Sequence, residues 1–189
     1  MDYNHHMSRA FVSESDTADE PDLPPLKIPL PPGARNYMTP AGTEKLRNEI
    51  TELRKKERTK AAARVSKLMS DGSKASTSDL KTAQKDLAVV DRQLNYLEEL
   101  LGTAEVITRP PGPAERAAFG MTVTVREDSA KETTEYTIVG IYESNPEEGA
   151  ISWVSPIAKA LIGTRVGDNV EIDLPAAKRK LDVLSIRQD

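Results

Sequence analysis

The sequence contains no cysteine, which excludes disulfide bonds, thiolate metal sites and a thiol nucleophile. Aromatic residues are also scarce, with two Phe and one Trp, so a single large aromatic core is not expected. No apolar run approaches the roughly 20 residues that span a bilayer, and we expect no membrane contact. The net charge of −4 gives no reason to expect general nucleic-acid binding. These absences favour a cytoplasmic protein with an elongated helical part and a small core.

Residues 1–36 are predicted to form a disordered, acidic and proline-rich tail. Six prolines and several acids between Asp16 and Pro32 leave little apolar surface to bury. The only histidines, His5 and His6, lie in this tail, where a metal site is conceivable but an inert pair is the more common case. Histidine-based catalysis is therefore excluded from the folded part. The sequence also lacks a catalytic triad, a glycine-rich phosphate loop and a zinc motif.

Residues 37–106 are predicted to form two helices joined by a short turn at Gly72. The first helix begins with Thr39 as N-cap and Pro40 at the first helical position, and runs to Asp71. Its seam recurs every three or four residues, with one polar member: Leu46, Ile50, Leu53, Glu57, Ala61, Val65 and Leu68. The second helix, capped by Ser76 or Ser78 and stopped by Gly102 as the C′ residue, has a strict heptad seam: Leu80, Ala83, Leu87, Val90, Leu94, Leu97 and Leu101. The two helices must pack as an antiparallel coiled coil roughly 45 Å long.

Residues 107–116 are predicted to be a linker, since the run from Arg109 to Pro113 contains three prolines and a glycine. In residues 117–189 the apolar period changes from helical spacing to alternation, which indicates strands. The expected strands are Met121–Arg126, Tyr136–Tyr142, Ala150–Trp153, Val170–Leu174 and Leu181–Ile186. Ser155 and Pro156 open a short helix, Ile157–Ile162, that ends at Gly163. The predicted fold class is α+β, with a helical hairpin followed by a small sheet domain.

Four segments carry a resemblance to a known family: MTPAGTEKLRNEITEL, the turn at Gly72, DRQLNYLEELL and VSPIAKALIGTRVGDNVEID. From Asn36 to Ile186 the chain resembles the bacterial GreA and GreB transcription elongation factors. The resemblance implies an FKBP-like C-terminal domain that docks on RNA polymerase and a coiled coil that enters its secondary channel. It also implies a monomeric factor without a cofactor of its own, which modulates elongation and backtracked complexes. The polymerase remains the enzyme, and contact with nascent RNA or DNA arises only through it.

The hairpin tip departs from the family pattern. The resemblance implies two tip carboxylates that help to hold an Mg²⁺ ion in the polymerase active site, where oxygen ligands suit a hard cation. In register, these two positions fall on Ser73 and Ser76. Asp71 and Asp79 flank the turn, and either they contact Mg²⁺ in place of the missing pair or they only occupy helix ends. Transcript-cleavage stimulation is expected to be weak or absent, which leaves a competitor of other channel factors as the alternative.

The polymerase-docking segment departs from the family at one position. Val154 stands where the family usually has Asp or Asn, whereas Ser155 and Pro156 match. On the first helix, the densest basic cluster is Arg54, Lys55 and Lys56, which are candidates for RNA contact. The alternative for these residues is a solvated face with pairs such as Glu52–Lys56. A peptidyl-prolyl isomerase, from the fold analogy, and a coiled-coil adaptor are the remaining functional alternatives.

Overall fold

The computed structural model describes residues 30–71, 76–108, 115–127, 132–173 and 178–188. Its N-terminal part is a long helical hairpin. The first arm consists of α1 (Pro40–Glu52), a π-helical segment (Leu53–Arg58) and α2 (Thr59–Ser70), and the second arm is α3 (Thr77–Gly102). Thr39 is the N-cap of α1, and its side chain accepts a hydrogen bond from the Gly42 N–H. The predicted pair of packed helices is confirmed.

Two details of the predicted helices are wrong. The first arm is not one regular α-helix, because the π-helical segment interrupts it around Glu57. Gly102 is not a C′ residue with positive φ but the last residue of α3. Thr103 follows as the C-cap, and its N–H donates to the Glu99 carbonyl oxygen at 3.0 Å. The helix therefore ends through a threonine cap and needs no left-handed glycine.

A short parallel ribbon closes the base of the hairpin. Strand β1 (Tyr37–Met38) precedes α1 and pairs with β2 (Glu105–Val106), which follows α3. Asn36 is buried beside it and donates to the Leu100 carbonyl oxygen at 2.8 Å. Of the predicted tail, residues 1–29 lie outside the described residues, and the domain boundaries at residues 36, 106 and 116 stay predictions.

The C-terminal part is a five-stranded mixed sheet in the order β5-β4-β3-β7-β6. Its strands are β3 (Met121–Glu127), β4 (Thr133–Val139), β5 (Ala150–Ser152), β6 (Asn169–Asp173) and β7 (Lys178–Gln188). Among the described strands of this sheet, β4 and β5 pair in parallel and the other neighbours are antiparallel. The short helix α4 (Pro156–Leu161) buries Ala158 and Leu161 against the sheet core, and Gly163 follows with a φ of 91°. The predicted α+β class is thus confirmed: a helical hairpin followed by a mixed sheet with one short helix.

The predicted strand Tyr136–Tyr142 is wrong in its bounds. β4 begins three residues earlier, at Thr133, and ends at Val139, so Ile141 and Tyr142 lie in a turn. The other strands and α4 agree with their predicted positions to within a few residues; Leu174, the predicted end of one strand, lies outside the described residues. Among the helices that the structure describes, none is long and apolar enough to cross a membrane.

Candidate functional site

The hairpin tip lies between the end of α2 and the start of α3. Asp71 is the C-cap of α2, and its N–H donates to the Lys67 carbonyl oxygen at 3.0 Å. A carboxylate at the negative end of a helix dipole gives that helix no stabilisation. Asp79 lies in the first turn of α3, where the dipole favours an acid. Both side chains are exposed. The helix dipole therefore accounts for an acid at Asp79 but not for one at Asp71.

Ser76, one of the two predicted candidates, is the N-cap of α3. Its hydroxyl oxygen accepts a hydrogen bond from the Ser78 N–H at 3.1 Å. A neutral oxygen already engaged in capping is a poor ligand for a hard cation. Ser73, the other position where the family resemblance implies an acid, lies outside the described residues.

The described residues contain no group of three or more His, Asp or Glu side chains that could hold a metal ion. Mg²⁺ takes six oxygen ligands in octahedral geometry, and Asp71 and Asp79 would supply only two carboxylates toward them. The donor set therefore suits a metal ion only when most of its ligands come from another molecule. Beside these acids, Met69 exposes 64 % of its surface, so the tip also presents an apolar side chain to solvent.

The basic cluster on the first arm is largely paired within the hairpin. Arg54 forms an ion pair with Glu98 of α3, and Lys56 pairs with Glu52, as the i,i+4 spacing predicts. Lys55 is exposed and has no ion-pair partner in the parts of the chain that the structure covers. Lys55 is therefore the member of the cluster whose charge remains available to an external anion.

The predicted docking segment surrounds the start of α4. Ser155 is the N-cap of α4, with its hydroxyl accepting from the Ala158 N–H at 3.2 Å, and Pro156 occupies the first helical turn. The predicted capping role is thus confirmed. Val154 is half-buried and Pro156 is exposed, so this corner offers a small surface with both apolar and polar atoms. Docking on a polymerase stays a prediction.

A junction between the hairpin base and the sheet domain was missed by the sequence analysis. Glu143, in the turn after β4, accepts hydrogen bonds from the backbone N–H and the hydroxyl of Thr39. The neighbouring Tyr142 donates its hydroxyl hydrogen to Glu49 of α1. Partial burial, together with the Glu49 carboxylate, raises the pKa of Tyr142 well above its ordinary value. The tyrosine therefore stays neutral and remains a hydrogen-bond donor.

Aromatic and apolar contacts complete this junction. Tyr37 of β1 packs against Trp153 with ring centroids 5.1 Å apart, and against Phe119 at 6.0 Å. A cleft of about 810 Å³ lies beside the junction, lined by residues of α1, β4 and the turn after it. No local pattern could have revealed these contacts, because they join residues about 80 to 115 positions apart in the sequence.

Comparisons with known proteins cover both parts of the chain. A family model for the N-terminal part of transcription elongation factors matches residues 36–106, and the GreA/GreB C-terminal model matches residues 112–188. The chain is 36 % identical over 149 residues to transcription elongation factor GreA of a Nitratiruptor species, covering 79 % of this chain and 91 % of the relative. It is 33 % identical over 150 residues to GreA of Brucella canis, covering 79 % and 96 %.

Two solved structures are also similar. The GreA factor homolog 1 protein of Thermus thermophilus shares 27 % identity, with 82 % of this chain and 99 % of that chain covered and a TM-score of 0.38. A GreA/GreB factor from Nitrosomonas europaea shares 18 % identity, with 80 % and 98 % covered and a TM-score of 0.36.

Proposed function

Because the chain belongs to the GreA/GreB family of transcription elongation factors, we propose that it binds RNA polymerase and inserts its hairpin tip into the secondary channel. Factors of this family are not enzymes themselves and act through the polymerase's own active site. The hairpin supports this proposal by its dimensions, since a first arm from Pro40 to Ser70 and a second arm of 26 residues from Thr77 to Gly102 give a rod roughly 40–45 Å long. Such a rod carries the segment between α2 and α3 far from the sheet domain.

The sheet domain would bind the polymerase through the corner at the start of α4. Val154, Ser155 and Pro156 lie at this corner, and the Ser155 cap holds the segment in a fixed conformation. With Val154 in place of an acid or amide, this position contributes apolar contact only. Lys55 is the exposed member of the basic cluster that has no ion-pair partner among the described residues, and it is the residue that would contact nascent RNA phosphates.

The chemistry of the tip favours a factor that stimulates transcript cleavage weakly or not at all. A serine hydroxyl is neutral, and the Ser76 oxygen already accepts a hydrogen bond from the Ser78 N–H. Neither Ser73 nor Ser76 therefore provides the charge that a second Mg²⁺ ion in the polymerase active site requires. The observation that carries the proposal is that the Ser76 hydroxyl is uncharged and already accepts this hydrogen bond. A protein that occupies the channel without donating carboxylates would act as a competitor of cleavage-stimulating factors.

A cleavage assay on backtracked elongation complexes tests this function. We expect the wild-type chain to leave transcripts almost uncut and to reduce cleavage by an added GreA protein in a concentration-dependent way. The Ser73→Asp/Ser76→Glu double variant is expected to gain cleavage, while Lys60→Ala, a change at an exposed position of the first arm, serves as the control. Robust wild-type cleavage that disappears in Asp71→Ala/Asp79→Ala would show that these two acids replace the missing pair. Failure to bind core polymerase at micromolar concentration would refute the proposal as a whole.

A further inference from the structure

One carboxylate joins the two parts of the molecule. Oε2 of Glu143 accepts from the Thr39 N–H at 3.0 Å and from the Gly140 N–H at 3.1 Å, and Oε1 accepts from the Thr39 hydroxyl. Thr39 is also the N-cap of α1. The carboxylate therefore binds at the positive end of the helix dipole, where a negative charge is stabilised. Charge-assisted hydrogen bonds of this kind are stronger than those between neutral groups.

Two glycines make room for this carboxylate. A Cβ atom on Gly42 would overlap the Glu143 carboxylate, and a Cβ on Gly140 would lie 2.6 Å from Oε2 and would overlap the Tyr37 carbonyl oxygen. Neither glycine has a positive φ, so the backbone conformation itself does not require glycine at these positions. Glycine at these two positions therefore allows the hairpin base and the sheet domain to lie in close contact.

A second contact fixes α1 at another point. The Tyr142 hydroxyl donates to Glu49, which lies ten residues after Thr39 on the same arm. At 1.5 Å per residue the two contacts are roughly 15 Å apart along the helix. Two points of attachment define the direction of a rod, whereas one point would leave it free to pivot.

We propose that Glu143 is a positioning residue that sets the direction in which the hairpin projects from the sheet domain. The consequence for polymerase rests on the proposed function, since only a tip delivered to a remote site depends on this direction. For a rod of roughly 45 Å, a rotation of about 10° at the base displaces the tip by about 8 Å. A tip displaced by this distance would no longer be aligned with a narrow channel, so the hydrogen bonds that Glu143 accepts from Thr39 and Gly140, here called the Glu143 latch, control whether the tip reaches its target.

The direction of the hairpin can be measured in the free protein. Because the sequence has no cysteine, Lys60→Cys on the first arm and Glu132→Cys on the sheet domain can be spin-labelled selectively. Pulsed electron paramagnetic resonance then gives the distance distribution between them. We expect a narrow distribution for the otherwise unchanged chain, a broad one for Glu143→Ala, and a narrow one for Glu143→Gln, whose amide can still accept from both N–H groups. Glu147→Ala, at an exposed position in the next turn, is the matched control.

Gly42→Ala tests the Glu143 latch by a change on α1 instead of a change at Glu143. Alanine is the better helix former by about 1 kcal/mol, so this change does not weaken α1 itself. It is nevertheless expected to displace the Glu143 carboxylate and to broaden the distribution as Glu143→Ala does. In the Gly42→Ala/Glu143→Ala double variant the two effects should not add, because the Cβ added at position 42 no longer meets a carboxylate once the Glu143 side chain is removed. Narrow distributions in both single variants would overturn the proposal.

Polymerase measurements separate this inference from the proposed function. If about one molecule in ten of Glu143→Ala holds the productive direction, the concentration needed to inhibit GreA-dependent cleavage rises about tenfold. Binding of the sheet domain to polymerase, measured through a label at residue 132, should change much less. Equal inhibition by wild type and Glu143→Ala would contradict the inference. If no variant binds polymerase, the proposed function fails while the distance measurements still decide the role of Glu143.

Discussion

The base and the distal half of the hairpin are built from the same two helices but are stabilised differently. At the base, Met38, Leu46, Ile50, Leu94, Leu97 and Leu100 form a buried cluster. In the distal half, α2 has no buried residue among those described, and only Ala83 is buried on the facing part of α3. The difference arises because β1 and the sheet domain cover the base, whereas two helices alone cannot enclose their seam.

The distal half has instead half-buried seam residues and exposed ion pairs between the arms. Ala61, Val65 and Leu68 of α2 are each partly exposed. Ion pairs cross between the arms, with Arg58 bonded to Asp91 at 2.7 Å and Arg64 to Asp86 at 2.8 Å. Exposed pairs of this kind contribute little to stability. The molecule therefore combines a rigid base that sets direction with a tip of low local stability, as expected for a segment that must adapt to a partner.

Truncation of a seam leucine should give the largest contrast between the two halves. Leu97→Ala removes a side chain that is 2 % exposed, and we expect it to lower the free energy of unfolding by about 2–5 kcal/mol. Leu87→Ala, on the same helix but half-buried, should cost about 1 kcal/mol. Urea denaturation followed by circular dichroism measures both. Equal losses would mean that the distal seam is as well enclosed as the base.

Removal of the ion pairs between the arms should have a smaller effect, confined to the distal half. Arg58→Ala and Arg64→Ala should each lower stability by less than about 1 kcal/mol, and added salt should reduce the difference from wild type. Hydrogen exchange should accelerate in α2 while the base stays protected. Lys60→Ala, which removes an exposed cation from the same arm, is the control and should leave exchange unchanged. Faster exchange at Leu97 would show that these pairs also stabilise the base.

The sequence predicted those features that depend on local chemistry. The caps Thr39 and Ser155 were correct, and Ser76 is the cap of the two candidates Ser76 and Ser78, because capping involves residues two or three positions apart. The end of β4 was wrong because alternation continues through Ile141 and Tyr142, while a contact with Glu49, 93 residues away, holds Tyr142 in a turn. The Glu143 latch was missed for the same reason. Long-range contacts leave no periodic pattern in the sequence.

The π-helical segment is an exception, because the spacing of the seam residues in the sequence indicates it. A heptad seam alternates steps of three and four residues, but the first arm takes three consecutive steps of four, from Leu53 through Glu57 and Ala61 to Val65. This spacing adds one residue relative to the heptad. A π-helical turn absorbs one extra residue, and here it occupies Leu53–Arg58 and leaves Glu57 exposed. The wider turn thus removes a carboxylate from the apolar seam.

Deletion of Glu57 should therefore change the stability of the hairpin, at its base and in its distal half, less than the substitutions above. Removing one residue from a π-helical segment restores a regular α-helix and keeps the flanking residues on their original faces. We expect the midpoint of thermal unfolding to change by no more than about 3 °C, corresponding to about 1 kcal/mol for a chain of this size. Deletion of Ala62 from the regular helix α2 is the matched control, and it should rotate the following seam by about 100° and separate the distal arms. If both deletions destabilise the hairpin equally, the extra residue is required by the packing of the arms rather than absorbed by the π-helical turn.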